Sequence, residues 1–174
     1  YLFRGPNSFS IREEISRMCD SLGPSDLASL NYIEAEASTL GTAGLASLAQ
    51  TMPFLSEKRL VVVRGLLAPF EPRQKPGPAG GADEPEEETA APIQKRDVAL
   101  APILAVLSQL PPTTDLVLVE LKVSLKNPLF SGFPKGAVVR EFPLPMGADL
   151  ENWILKRAKG AGGVITPAAA HLLA

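Results

Sequence analysis

The first fifteen residues follow the order in which nucleotide-binding folds place their phosphate loop. The apolar segment Tyr1 to Phe3 is followed by a Gly-Pro-Asn-Ser turn at positions 5–8 and then by a helical pattern. Such a loop holds nucleotide through inward-facing backbone N–H groups, a lysine for the β/γ-phosphates and a Ser or Thr for magnesium. The chemistry that this arrangement could support is nucleotide hydrolysis.

The residues that would carry out this chemistry are missing. No second glycine and no Gly-Lys-Ser/Thr follow the turn, and a proline without an N–H stands inside it. The predicted third strand ends in Arg64 and Gly65, where an acidic pair would be needed to hold magnesium. We therefore expect a degenerate phosphate loop, no cofactor, no metal and no catalysis by this chain. The degenerate loop comprises Gly5, Pro6, Asn7 and Ser8.

A second feature, which we call the knuckle, directly precedes the third strand. It contains the apolar residues Met52, Pro53, Phe54 and Leu55, and the polar turn Ser56, Glu57 and Lys58 follows it. The apolar run at 60–63 predicts a strand buried on both faces, so the knuckle stands at the edge of a sheet. Apolar side chains in that position indicate a binding surface for a partner protein. The alternative is that Phe54 and Leu55 cover the domain's own core.

Several other classes of site find little support in the composition. Cys19 is the only cysteine and His171 the only histidine, so neither a structural zinc site nor a Cys-His nucleophile can be built. A single cysteine suits a reducing cytoplasm. No apolar run reaches membrane-spanning length, and the first residues lack the features of a secretory signal. We expect a soluble, cytoplasmic protein with no membrane partner.

A segment rich in proline, glycine and acidic residues divides the chain at 66–96. It holds six of the seventeen prolines, six of the nineteen acidic residues and four of the seventeen basic residues. Such a composition buries too little apolar surface to offset its ordering entropy, so we expect a flexible insertion. Thirteen charges of each sign remain outside it, which gives no general basic excess for nucleic acid. Local basic patches remain at Lys156, Arg157 and Lys159 and at Lys122 and Lys126.

Hydrophobic patterns along the chain predict alternating strands and helices. We expect Ser10 and Glu13 to form a capping box on the first helix, and Asp97 to cap the helix after the insertion. The pattern predicts an α/β fold with a five-stranded parallel sheet flanked by helices. Strands are expected at 2–3, 30–35, 60–63, 116–121 and 137–142, and helices at 11–22, 39–50, 97–110, 127–133, 149–159 and 168–174.

The hydrophobic pattern changes after Pro145, where two helical segments are predicted. We expect an α/β domain over residues 1–144 and the incomplete start of a helical domain over residues 145–174. The chain is expected to be the N-terminal part of a longer protein, because its last predicted helix is still in progress at Ala174.

The ordered motifs resemble the delta subunit of the bacterial DNA polymerase III clamp loader, a family related to AAA+ proteins. The likeness covers the chain apart from 66–96. It depends on the opening at 2–15 (LFRGPNSFSIREEI), PFLSEKRLVVVRG at 53–65, LVLVEL at 116–121, REF at 140–142 and WILKRAKGAGGVI at 153–165. The resemblance implies a nucleotide-binding-type domain without a working phosphate loop, followed by a helical lid.

The resemblance also implies a function. Delta subunits insert two adjacent large apolar side chains into a pocket of the ring-shaped sliding clamp and favour an opened ring. Phe54 matches the aromatic anchor, and either Leu55 or Met52 supplies the second, with Pro53 presenting them and Ser56, Glu57 and Lys58 forming a rim. The implied partners are the sliding clamp (beta subunit), the other clamp-loader subunits and, through the complex, primed DNA. The implied assembly has DNA-directed DNA polymerase (nucleotidyltransferase) activity in DNA replication.

Two alternatives from other classes stay open. One is an active ATPase with an unusual phosphate loop. The other is a DNA-binding module that uses Lys156, Arg157 and Lys159, whose affinity for duplex DNA would fall steeply with salt.

Overall fold

The computed structural model describes residues 1–71, 93–124 and 126–174. The chain divides into two compact units, Tyr1–Phe142 and Pro143–Ala174. The strands are β1 (Leu2–Arg4), β2 (Tyr32–Glu36), β3 (Arg59–Arg64), β4 (Thr114–Glu120) and β5 (Val139–Glu141). The helices are α1 (Ser8–Asp20), α2 (Ser25–Asn31), α3 (Ala37–Gln50), α4 (Ile93–Ser108), α5 (Pro128–Ser131), α6 (Ala148–Gly160) and α7 (Pro167–Leu173), with a 3₁₀ turn at Ala68–Phe70.

The prediction of a five-stranded parallel sheet is confirmed. The strand order, which the sequence did not indicate, is β2-β3-β4-β1-β5. Alternate residues of β3 face opposite sides. Val61 and Val63 pack against α3, α4 and α5, whereas Leu60 and Val62 pack against α1. The central strands β3 and β4 are buried on both faces, which explains why their sequences are apolar without alternation.

The start of α1 differs from the prediction. Asn7, not Ser10, caps the helix, and its side-chain oxygen accepts a hydrogen bond from the Ser10 amide at 3.1 Å. Ser10 therefore lies at the third helical position, where it donates to the cap instead of being the cap. An Asn three residues before a helical amide suits this geometry as well as a Ser does.

A short helix, α2, was missed. Leu30 and Asn31 are its last residues and not the start of a strand, so β2 begins at Tyr32. The segment 30–35 alternates apolar and polar residues over a window too short to separate a strand from the end of a helix followed by a strand.

The prediction of a flexible insertion at 66–96 is wrong for its first residues. Leu66, Leu67 and Phe70 are buried in the core against α3 and α4, because the polar, proline-rich composition starts only after them. Helix α4 begins at Ile93, so Asp97 is not its cap. The rest of the predicted insertion, 72–92, lies outside the described residues.

The second unit, Pro143–Ala174, contains α6 and α7. Thr166 caps α7 by accepting a hydrogen bond from the Ala169 amide at 3.2 Å, and Pro167 occupies the first helical position. His171 of α7 lies 2.6 Å from a carboxylate oxygen of Glu151 on α6. That this unit begins a helical lid stays a prediction.

Candidate protein-binding site

The knuckle forms an ordered loop at the amino end of β3 with three large apolar side chains in solvent. Met52 is 77% exposed, Phe54 56% and Leu55 76%, while Pro53 is half-buried. These values are high for such side chains, which are usually buried. The alternative in which Phe54 and Leu55 cover the core is therefore wrong in this structure. Leu30, at the end of α2, is a further exposed apolar side chain.

The main chain of the knuckle is held in its middle by a buried asparagine. The Asn31 side chain accepts a hydrogen bond from the Phe54 amide at 2.6 Å and donates to the Phe54 carbonyl at 2.8 Å. Its amide nitrogen also donates to the Leu27 carbonyl at 2.9 Å. Asn31 is only 1% exposed, so both of its polar atoms are used where unmade hydrogen bonds would be costly.

Two further contacts hold the ends of the loop. The buried guanidinium of Arg59 donates to the Thr51 carbonyl at 3.0 Å, at the C-terminus of α3 where a cation is favoured. Ser56 Oγ donates to the Leu22 carbonyl at 3.2 Å. Tethers at 51, 54 and 56 leave the exposed side chains on a fixed backbone.

Backbone strain marks the tip of the knuckle. Leu55 has φ of +48°, and it is the only residue other than glycine with positive φ in the described part of the chain. This conformation costs a leucine on the order of 1–2 kcal/mol and persists only where the surroundings impose it. The side chain of this strained leucine is largely exposed.

The predicted polar rim is not uniform. Ser56 is half-buried and tethers the loop, whereas Glu57 and Lys58 are exposed. Lys58 Nζ pairs with Asp115 Oδ2 at 3.1 Å, and this interaction raises the pKa of the Lys58 amine. An exposed pair of this kind adds little to stability, so both charges remain available to a partner.

The degenerate phosphate loop uses its amides within the chain. The Gly5 amide donates to the Glu120 carbonyl at 3.0 Å and the Asn7 amide donates to the Phe142 carbonyl at 3.1 Å. The Ser8 amide donates to the Pro6 carbonyl at 2.9 Å. Since a phosphate loop depends on free inward-facing amides, these bonds remove the donors that an anion would need.

The segment after β5 closes this loop further. A Cβ atom added at Gly5, which has φ of +124°, would come within 2.4 Å of the Phe142 carbonyl oxygen. Phe142 also donates its amide to the Arg4 carbonyl at 2.7 Å, and its ring packs 5.1 Å from that of Phe3. The backbone of residue 142 thus lies directly against the loop.

The carboxyl ends of the neighbouring strands carry no metal-binding arrangement in the described residues. Arg64 ends β3 and forms an ion pair with Glu34. Glu120 ends β4, is buried and accepts a hydrogen bond from the Leu67 amide at 2.7 Å. Where the structure describes the chain, no three or more His, Cys, Asp or Glu side chains form a group able to hold a metal ion.

Glu120 gives the fold a specific pH dependence. Burial, aided by Glu71 and Glu36, raises the pKa of its carboxyl from 4.5 to about 7, although backbone amides of Leu67 and Leu66 oppose the shift. The folded state therefore binds a proton that the unfolded state releases. This contribution to stability is complete below pH 4.5 and is lost as the pH rises to about 7.

We expect Glu120→Gln to be about as stable as the wild type near pH 4.5 and about 3 kcal/mol more stable above pH 7, because the pKa of Glu120 rises from 4.5 to about 7 and each pKa unit corresponds to about 1.4 kcal/mol. Urea unfolding of both proteins at several values between pH 4.5 and 8 measures the difference. A difference that does not change with pH would contradict this role of Glu120.

The predicted basic patches lie on α6 and on the segment after β4. Lys156, Arg157 and Lys159 share α6, and the Arg157 guanidinium lies 5.9 Å from the centre of the Trp153 ring. Lys122 and Lys126 are exposed on the segment after β4. In the described part of the chain, no helix is both long and apolar enough to cross a membrane.

The sequence pattern placed Arg59 in the charged turn after the knuckle but did not indicate its bond to Thr51, and it gave Asn31 no role at the knuckle. Asn31 and Phe54 are 23 positions apart, and periodicity does not report contacts of that range. Asn31 stands directly before β2, whose sequence alternates apolar and polar residues, and this pattern gives no sign of the contact with Phe54.

The geometry defines a class of protein: an open parallel α/β fold in which the loop after β1 bonds its amides within the chain and an exposed apolar knuckle directly precedes β3. Residues 1–75 match the family model for "DNA polymerase III, delta subunit". The structure of the Bacillus subtilis DNA clamp loader delta protein aligns with 99% of this chain at a TM-score of 0.67 and 18% identity. The first 75 residues are therefore similar to the delta-subunit family, and the chain shares the fold of the Bacillus subtilis protein.

The other comparisons are more distant. The chain spans 46% of the length of the Bacillus subtilis protein. A DNA polymerase III gamma subunit-related protein from Thermotoga maritima aligns with 89% of the chain, which spans 44% of that protein, at a TM-score of 0.46 and 11% identity. A search of curated proteins gives no significant match.

Proposed function

We propose that this chain is the clamp-binding part of a clamp-loader delta subunit and that its knuckle inserts into an apolar pocket of the sliding clamp. The observation that carries the proposal is the exposure of Met52, Phe54 and Leu55 on a backbone fixed by buried hydrogen bonds. Exposure of such an apolar cluster to water raises the free energy of the chain, so its burial against a partner is favourable. A preorganised loop also binds at a low entropic cost.

The proposal assigns roles to individual residues. Phe54 is the aromatic anchor. Leu55 is the second anchor, because its backbone has a positive φ and its side chain is 76% exposed. Met52 extends the apolar surface and Pro53 restricts the backbone before Phe54. Glu57 and Lys58 form the polar rim at which a partner would be oriented.

Binding alone does not open a ring. A ligand shifts an equilibrium only by the difference between its affinities for the two states, so the knuckle must bind the opened clamp more tightly than the closed one. In this proposal the chain contributes binding energy, and nucleotide hydrolysis belongs to other subunits. The closed phosphate loop supports that division, because its amides are already bonded within the chain.

We expect Phe54→Ala to weaken binding to the cognate sliding clamp at least tenfold, since truncating an aromatic hot spot costs about 2–4 kcal/mol. Its melting temperature should change little, because the ring is 56% exposed. Titration of purified clamp by interferometry measures the affinity. Phe9→Ala, which truncates another partly exposed phenylalanine, at the start of α1, serves as the matched control.

Equal affinities for wild type and Phe54→Ala would contradict the proposal. A large fall in melting temperature with unchanged binding would give Phe54 a role in stability and none in clamp binding.

A further inference from the structure

We propose that Asn31 is the positioning residue of the knuckle, which sets the conformation in which Phe54 and Leu55 meet a partner. The inference rests on the proposed function for its consequence, but its geometry is independent of any partner. Both hydrogen bonds between Asn31 and Phe54 involve the main chain of Phe54, at its amide and its carbonyl. The side chain of Phe54 remains free to bind.

The two hydrogen bonds between the Asn31 side chain and the Phe54 main chain resemble those between paired residues of two β-strands. In a sheet, a residue exchanges an N–H···O and an O···H–N bond with its partner, and the Asn31 amide group makes the same two bonds to Phe54. Its third bond, to the Leu27 carbonyl one turn earlier, fixes the orientation of the amide on α2. An alanine at 31 would leave the Phe54 amide and carbonyl unpaired.

The strain at Leu55 explains why such a contact is needed. A leucine at φ of +48° relaxes to negative φ unless its neighbours prevent it, and Asn31 holds the residue immediately before it. Without that contact, only a fraction of molecules would present the binding conformation. The apparent dissociation constant rises in inverse proportion to that fraction.

The matched control for Asn31→Ala is Asn127→Ala. Asn127 is a second buried asparagine, and it does not bond to the knuckle. It is also 1% exposed, its side chain also bonds to main chain at Leu67 and Leu129, and it caps α5. Asn31→Ala and Asn127→Ala should both lower stability. Only Asn31→Ala should also change binding by the knuckle.

The first measurement needs no partner, and its deciding result comes from the wild-type chain. In the wild-type chain, the Phe54 amide should exchange with solvent hydrogen at least about 100 times more slowly than an unstructured amide, because Asn31 holds it in a buried hydrogen bond. Asn31→Ala should remove that protection while β3 and β4 stay protected. Fast exchange of the Phe54 amide in the wild type would overturn the inference, even if a variant fails to fold.

The second measurement is a double-mutant cycle against purified sliding clamp. We expect Asn31→Ala to weaken binding about tenfold, as it would if one molecule in ten kept the competent loop, and Asn127→Ala to weaken it less than about twofold. In a Phe54→Ala, Leu55→Ala background, Asn31→Ala should have no further effect.

The outcomes separate the two proposals. If Phe54→Ala leaves clamp binding unchanged, the proposed function fails, and the exchange measurement still decides the role of Asn31. If Phe54→Ala weakens binding but Asn31→Ala behaves like Asn127→Ala, the proposed function stands and the inference about Asn31 is overturned.

Discussion

Replacing both Phe54 and Leu55 by alanine is expected to weaken binding to the sliding clamp more than 100-fold and to leave the fold intact. The two side chains are adjacent, mostly exposed and presented by one strained loop. Buried anchors of this size contribute about 2–4 kcal/mol each on truncation, and neighbouring anchors seldom add fully. A combined loss of about 3–6 kcal/mol follows, which corresponds to more than two decades in affinity.

The measurement is an equilibrium titration of the double variant beside the wild type, with thermal unfolding of both. Met52→Ala provides a comparison within the knuckle, because Met52 is as exposed as Leu55 but lacks the positive φ. We expect a smaller loss from Met52→Ala than from Leu55→Ala. The reverse order would make Met52 the second anchor, and no loss in the double variant would contradict the binding role of the knuckle.

Gly5→Ala is expected to destabilise the α/β unit by about 3–4 kcal/mol. The added Cβ would lie 2.4 Å from the Phe142 carbonyl oxygen and 2.8 Å from its carbon. Both partners are backbone, so neither can move without disturbing the bonds that join β1 and the segment after β5. Positive φ adds strain of about 1–2 kcal/mol to this clash.

Gly23 supplies the matched control for this prediction. It has the same φ of +124°, but an added Cβ there meets nothing within 4 Å. Gly23→Ala should therefore cost only the strain of positive φ, and urea unfolding of the two variants isolates the clash. Equal losses would show that residue 142 does not press on the phosphate loop, and the argument that the loop is closed would fail.

The parts of the fold that follow from local patterns were predicted well. Strands β3 and β4 are continuous apolar runs because both faces of the sheet are covered, and such runs are visible in the sequence. The cap of α1 and helix α2 were not found, since a short segment such as 30–35 fits more than one period. Buried residues at 66, 67 and 70 were hidden by the composition that follows them.

The candidate site was likewise predicted only in part. The apolar knuckle and the defects of the phosphate loop are visible in the residue types at 52–55 and 5–8. Their causes in the structure are long-range: Asn31 bonds to Phe54, Arg59 bonds to Thr51 and the backbone of Phe142 lies against Gly5. Polar contacts between distant positions leave no periodic trace in a single sequence.

The most direct test of the knuckle as a clamp-binding surface is site-specific photo-crosslinking. A photoreactive phenylalanine analogue at position 54 keeps the aromatic ring, and the same analogue at position 9 is the control. With purified sliding clamp, irradiation should yield a covalent product from position 54, mapped to an apolar pocket of the clamp, and little from position 9. Crosslinking from position 9 alone, or from neither position under conditions where the two proteins bind, would contradict the account.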